Sequence, residues 1–288
     1  MTENDTAGDR APAILVTNDD GVYAEGLRAL ARELSGMAHV TVVAPDRERS
    51  AIGHAITVHH PLRVDPVDLG LGVPCHSVNG TPSDCVKLAV DAVMERRPDL
   101  VVSGINRGPN LGTDVIYSGT VSAALEGTIA GIPSIAVSLG TGQDRGGPTD
   151  HVVPRAEIRS SEVKTCDYGL AARFVAGVAR RILEENLPPE VLLNINIPAC
   201  PVAGLEEVQI TRLGQRKYHD VLHRRTDPRG RAYYWLAGEV LELDEDPDTD
   251  GMALRSNRIS ITPIHLDLTM HSIIPRLRGW RLTLDQEV

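Results

Sequence analysis

Asn18, Asp19, Asp20 and Gly21 follow directly on the apolar run Ile14-Leu15-Val16-Thr17, and this octet carries more chemical information than any other stretch of the chain. Two adjacent carboxylates repel, and keeping both ionised costs free energy unless a cation sits between them. Oxygen-only ligands suit a hard ion such as Mg²⁺ or Mn²⁺. A plainer use competes with this one: Asn18 and Asp19 capping the next helix, with Asp20 facing water.

Other loops bear groups that would complement such an ion. Pro45-Asp46-Arg47-Glu48-Arg49-Ser50-Ala51 offers arginines for phosphate oxygens, although such arginines also serve as solvated surface charges. Gly104-Ile105-Asn106-Arg107-Gly108-Pro109-Asn110-Leu111-Gly112 lacks both the Walker A sequence and the dinucleotide fingerprint. Its glycines would let backbone approach a ligand closely. Asp114 and Tyr117 then lead into Ser118-Gly119-Thr120-Val121 at a predicted helix start, where amides and macrodipole favour an anion. Simple N-capping by Ser118 or Thr120 uses the same geometry. His54, His59 and His60 read as sheet-surface histidines, His54 being the outside candidate for proton transfer. No G-x-S-x-G elbow is present, which argues against an α/β-hydrolase.

Positioning these loops falls to alternating strands and helices. Strands are predicted at Ile14–Thr17, His39–Ala44, His76–Val78, Leu100–Ser103, Ser134–Ser138 and Leu192–Ile195, with an extended stretch Ile56–Val64 broken at Pro61. Helices are predicted at Glu25–Leu34, Pro82–Met94, Thr120–Ala130 and Tyr168–Glu184. This rhythm implies an α/β fold, a Rossmann-like doubly wound and mostly parallel sheet with right-handed crossovers. Loops after strands then open on one face. The core is expected to span residues 13–200. Residues 201–288 form a C-terminal extension of the same domain, with strands at Val208–Leu213, Ala232–Leu243 and Arg258–Pro263. The turn Asp227-Pro228-Arg229-Gly230 marks a long hairpin bearing Tyr233, Tyr234 and Trp235, which cannot bury much alone and so suggests contact with another subunit. Asp246-x-Asp248-x-Asp250-Gly251 imitates half an EF-hand loop, but Asn257 stands at the twelfth position and Pro247 disagrees, so a solvated turn is expected.

Composition narrows the partners. A net charge of −10 argues against a nucleic-acid polymer as ligand. Cys75, Cys85, Cys166 and Cys200 have no zinc spacing and read as reduced thiols. With no apolar leader or bilayer-length run, a cytoplasmic protein without a membrane partner is expected.

Together, Ile14–Gly21 (ILVTNDDG), Ala44–His54 (APDRERSAIGH), Gly80–Leu88 (GTPSDCVKL), Val102–Gly112 (VSGINRGPNLG), Ser118–Gly127 (SGTVSAALEG), Leu193–Pro198 (LNINIP) and Ile259–Ile264 (ISITPI) resemble the SurE family of survival-protein nucleotidases. The resemblance implies a divalent-metal-dependent phosphatase of nucleoside 5′- and 3′-monophosphates, with some members cleaving polyphosphate ends. It also implies a homodimer or homotetramer made through the C-terminal extension. Carried over position by position, the metal ligands are Asp19, Asp20, Ser50 and Asn106, for Mg²⁺ or Mn²⁺. Asp19, Asp20 and Asn106 would then be catalytic, with Asn106, Arg107, Ser118, Gly119 and Thr120 around the phosphate. The chain departs from the family in a longer polar insertion between Leu139 and Cys166, expected to act as a lid. It departs again at Asn257-Arg258, where Asn suits a positive-φ turn. Two rival readings stay open: a nucleotide sensor with negligible turnover, and a metal-dependent nucleotide-sugar glycosyltransferase.

Overall fold

A computed structural model describes residues 10–141, 168–185, 187–188, 190–199, 208–242, 245–280 and 282. The segment read as a lid lies, beyond its first three residues, outside the described residues, as do Cys166 and Cys200.

Strand β1 (Ala13–Thr17) is buried along its whole length, which explains why its sequence is a continuous apolar run rather than an alternating one. Ile14 and Val16 pack into a cluster on one face of the sheet, and Leu15 into a second cluster on the other. On the first face lie α1 (Glu25–Leu34) and α4 (Tyr168–Glu185). Leu27, Leu30 and Leu34 of α1 are wholly buried, each worth about 1.5–3 kcal/mol of transfer free energy. On the second face lie α2 (Pro82–Leu88), prolonged by a wider π turn at Ala89–Val93, and α3 (Gly119–Ile129).

The other strands are β2 (His39–Pro45), β3 (Val64–Pro66), β4 (Cys75–Val78), β5 (Leu100–Arg107), β6 (Ser134–Leu139), β7 (Val191–Ile197), β8 (Val208–Ile210) and β11 (Ile259–His265). Among the described residues they form one sheet with β1, in the order β3-β4-β2-β1-β5-β6-β7-β11-β8. The stretch from β4 to β7 is parallel, while β3 and β11 run antiparallel to their neighbours β4 and β7. From β1 the chain builds outward through β2 and β4 on one side, then returns to build β5, β6 and β7 on the other. The strand order therefore reverses between β1 and β5, where a doubly wound sheet opens its ligand crevice.

Two sequence expectations fail locally. The expected extended stretch Ile56–Val64 meets the sheet only at Val64, where β3 begins; before it the chain is held by side chains at the start of α2, Thr57 N–H donating to Asp84 Oδ1 (2.9 Å) and Thr81 Oγ1 donating to Ala55 O (2.7 Å). Ile56 and Val58 are exposed, and His59 and His60 lie on this irregular segment rather than on a sheet surface. The acidic turn at residue 246 is also not wholly solvated. Asp246 and Asp248 are exposed, but Asp250 is completely buried at the start of α5 (Asp250–Arg255).

In the C-terminal region, β11 inserts between β7 and β8 in the main sheet. Among the described residues, strands β9 (Arg216–Thr226) and β10 (Ala232–Glu242) pair only with each other, in a separate antiparallel ribbon. Asp227 closes its turn by accepting from the N–H groups of Arg229 and Arg231, both at 2.8 Å. Asn257 takes φ 58°, as its turn requires. A short helix, α6 (Ile274–Arg278), follows near the C-terminus.

Candidate functional site

The loops after β1, β2 and β5 and the start of α3 are joined at the switch point. Asn18 shapes the first loop from within: its Nδ2 donates to Gly21 O (3.0 Å) and its Oδ1 accepts from Gly21 N–H (3.2 Å). The capping use read for Asn18 and Asp19 does not hold: α1 starts after Ala24 with no side-chain cap, Asn18 serves only the turn at Gly21, and Asp19 and Asp20 reach neighbouring loops. The Arg49 N–H donates to Asp19 O at 2.7 Å, tying the second loop to the first beside Ser50. The Arg107 N–H donates to Asp20 Oδ2 at 3.2 Å, tying in the third.

Asp19 is 4% exposed and meets the N-terminus of α3. Thr120 donates both its hydroxyl (2.5 Å, to Oδ1) and its backbone N–H to the Asp19 carboxylate. Gly119 permits this approach, since a Cβ there would lie 2.7 Å from Asp19 Cβ. Burial pushes the Asp19 carboxyl up to about 6, and the neighbouring Asp20 charge adds to the rise while the Thr120 hydroxyl opposes it. Among the described residues Asp19 has no ion-pair partner.

The neutral oxygens are prepared in a consistent way. Ser50 gives its hydroxyl proton to Glu48 Oε1 (2.8 Å), and Asn106 gives its Nδ2 hydrogen to Gly108 O (2.8 Å). Each donation orients an oxygen whose lone pairs remain as acceptors. A bulge supports Asn106: Ser103 pairs with Ala136 but Asn106 with Ser138, so β5 holds one extra residue and its alternation flips before the site. No three His, Cys, Asp or Glu side chains cluster as a metal site among the described residues. The loops joined here bear two carboxylates, a hydroxyl and an amide.

Other expected roles change. The helix start read as an anion cradle faces an anion of its own chain, Asp19, and Ser118 Oγ caps α3 by accepting from Val121 N–H (3.1 Å). Arg49 is engaged locally, its guanidinium donating to Asn79 O (2.7 Å) and Asp46 Oδ1 (3.3 Å). Arg47 and Arg107 stay exposed on the loops. His54 bonds Glu126 Oε2 at 2.8 Å, two turns along α3 and so roughly 10 Å from its start. It staples the second loop to the helix flank rather than standing at the carboxylates.

The family pattern described as Survival protein SurE matches residues 14–220. The chain belongs to the SurE family. A 5′-nucleotidase SurE of Moorella thermoacetica is 53% identical over 273 residues, covering 93% of this chain and 95% of that protein. Its counterpart in Symbiobacterium thermophilum is 48% identical over 273 residues, covering 94% of this chain and 98% of that protein. The crystal structure of the SurE protein from Aquifex aeolicus shares the fold with a TM-score of 0.76 at 36% identity, covering 94% of this chain and 100% of that one.

The SurE-family segments also contain residues whose purpose the sequence did not disclose. Asn194 and Asn196 of β7 are fully buried, and both donate to Asn110 O (2.9 and 3.0 Å). Asn196 Oδ1 accepts from Asn110 N–H (2.8 Å), while Asn110 Nδ2 donates to Ser138 Oγ (2.7 Å). This network fixes the middle of the glycine-rich loop against β6 and β7. Its signal was the alternation of asparagines within the apolar run Leu192–Ile197, which costs free energy unless each amide is satisfied.

Proposed function

We propose that the chain is a hydrolase of nucleoside 5′-monophosphates that uses a divalent cation held by Asp19, Asp20, Ser50 and Asn106. One observation carries this reading. Three loops stitched together at the sheet's switch point present two carboxylates, the Ser50 hydroxyl, whose proton goes to Glu48, and the Asn106 amide, whose Nδ2 donates to Gly108 O. Such a donor set fits Mg²⁺ or Mn²⁺. Family membership and relatives named as 5′-nucleotidases support the substrate class.

When bound, the ion supplies Lewis acidity that withdraws charge from a phosphoryl oxygen. The chain's own groups do the rest. The start of α3 stabilises the ionised form of Asp19, through two hydrogen bonds and the helix dipole. The Arg107 guanidinium, exposed on the third loop, would neutralise phosphate oxygens. Ser118 and Gly119 border the same helix start. Tyr23 and Tyr117 are exposed on the loops after β1 and before α3 and offer flat apolar surface to a nucleobase. Because recognition centres on the phosphoryl group, the reading extends to nucleoside 3′-monophosphates and to terminal phosphates of polyphosphate.

The exposed Leu222, Tyr233, Tyr234 and Trp235 on the ribbon, with Leu277 and Trp280 near the C-terminus, support a homo-oligomer. No helix among the described residues is long and apolar enough to cross a membrane.

The test is phosphate release from a nucleotide panel after chelation and re-addition of single divalent ions. Activity lost on chelation and restored by Mg²⁺ or Mn²⁺ is expected. Tight nucleotide binding without phosphate release would favour a sensor, and turnover confined to nucleotide sugars would favour a glycosyltransferase.

A further inference from the structure

The acidic stretch at Asp246–Asp250 has no part in the reaction outlined above, yet its last carboxylate is, among the described residues, the most thoroughly enclosed acid outside the loop face. Asp250 is 0% exposed. Its Oδ2 accepts from Gly112 N–H (2.7 Å), and its Oδ1 accepts from Gly214 N–H and Gly251 N–H (both 2.9 Å). Gly112 ends the glycine-rich loop that begins beside Asn106 and Arg107. It also opens the 3₁₀ turn Gly112–Ile116, which leads directly to Ser118 and α3. Gly214 lies just before β9, in the C-terminal region.

A second tie crosses the same joint. Asp114 Oδ2 pairs with Arg216 Nη1 at 2.7 Å, with side chains only 16% and 14% exposed, and Thr113 Oγ1 donates to Arg216 O (2.6 Å). Nothing larger than hydrogen fits at the centre: a Cβ on Gly112 would lie 2.5 Å from Gly214 O. Burying a carboxylate is unfavourable, and burial raises the carboxyl of Asp250 above its ordinary range. An aspartate is retained where its two acceptor oxygens serve donors that otherwise go unsatisfied. The isosteric asparagine would turn an NH₂ group toward one of those N–H donors.

We propose that Asp250 is a positioning residue of the phosphatase site. It fixes Gly112 to the C-terminal region, and thereby sets where Asn106 and Arg107 stand on one side of Gly112 and where the α3 start stands on the other. This rests on reading the loop face as the phosphomonoesterase centre.

The test measures kcat, KM and the half-saturating Mg²⁺ or Mn²⁺ concentration with adenosine 5′-monophosphate, on the full chain, alongside thermal melting. Asp250→Asn is expected to lower kcat, or raise the half-saturating metal concentration, by about 10–100-fold, the range seen when an orienting partner of a site residue is lost. Asp99→Asn is the control. Asp99 Oδ2 accepts from Ala13 N–H (2.7 Å) at the opposite, amino end of β1, so that variant should melt lower with kcat and metal response unchanged. Asp114→Asn, which weakens the pair with Arg216, should show a smaller loss of the same kind and decides the matter if Asp250→Asn does not fold. Variants of the joint that only melt lower, as Asp99→Asn does, overturn the proposal while the wild-type activity stands. A wild-type protein releasing no phosphate with either ion overturns the underlying reading, and the proposal with it.

Discussion

The loop face and the C-terminal ribbon invert each other's surface chemistry. At the loop face, polar groups are buried: Asn18, Asp19, Ser118, Thr120, Asn194 and Asn196 are each less than a tenth exposed. In the ribbon, apolar groups are exposed, with Trp235 at 61% and Tyr234 at 59%. Both arrangements oppose the ordinary preference of the side chains and lower the stability of the isolated chain. The loop face offsets much of its cost internally, through hydrogen bonds such as Thr120–Asp19 and Asn196–Asn110, although Asn194 Oδ1 is left without a partner among the described residues. The ribbon has no such internal compensation among the described residues, so its compensation is expected from another surface. On the proposed reading, chemistry and assembly are separated in space, and the joint at Asp250 and Arg216 connects the two regions.

Substitutions sharpen that division. The largest effect is expected for Asp19→Asn, with phosphate release falling by at least about 10²-fold and circular dichroism unchanged, since fixed charge at a reacting centre is worth that much. Retained turnover would remove Asp19 from the chemistry. Next comes Asn196→Ala, which removes two hydrogen bonds to the Asn110 backbone. A loss of roughly 1–3 kcal/mol in chemical denaturation is expected for the unsatisfied groups left behind, with a several-fold drop in kcat. Trp235→Asp should act in the opposite sense. It should shift the sedimenting species to smaller size while denaturation of the separated subunit stays close to that of the wild type. A wild-type chain that already sediments as a monomer would refute the role given to the ribbon.

The smallest effect concerns pH. Burial raises the Asp250 carboxyl in the folded chain, so the native state holds that proton more tightly than the unfolded one. The associated stability is present below the ordinary value of 3.8 and is lost as pH climbs toward the raised folded value. The melting advantage of the wild type over Asp250→Asn should therefore narrow across that window, as parallel melts of both proteins would show.

Much of this molecule was legible without coordinates because its signals are local. Helix α1 spans the residues expected from the apolar spacing Leu27, Leu30, Ala31, Leu34, and β1 and β2 agree with the expected strands to within a residue at either end. Ile56–Val58 misled for the complementary reason. Alternating apolar residues can extend, but an extended chain becomes a strand only where a neighbour supplies hydrogen bonds, and here the start of α2 supplies them instead.

From residue order alone came the paired carboxylates after the first strand and the doubly wound α/β class, since these depend on short-range periodicity and composition, while Ser50 and Asn106 came from the family resemblance. Tertiary structure alone decided that Thr120 bonds Asp19, that His54 pairs with Glu126, and that Asp250 is buried. Each of these partners lies tens of residues or more away in the chain. Burial and hydrogen-bond choice are properties of the assembled neighbourhood, and no window of sequence contains that neighbourhood.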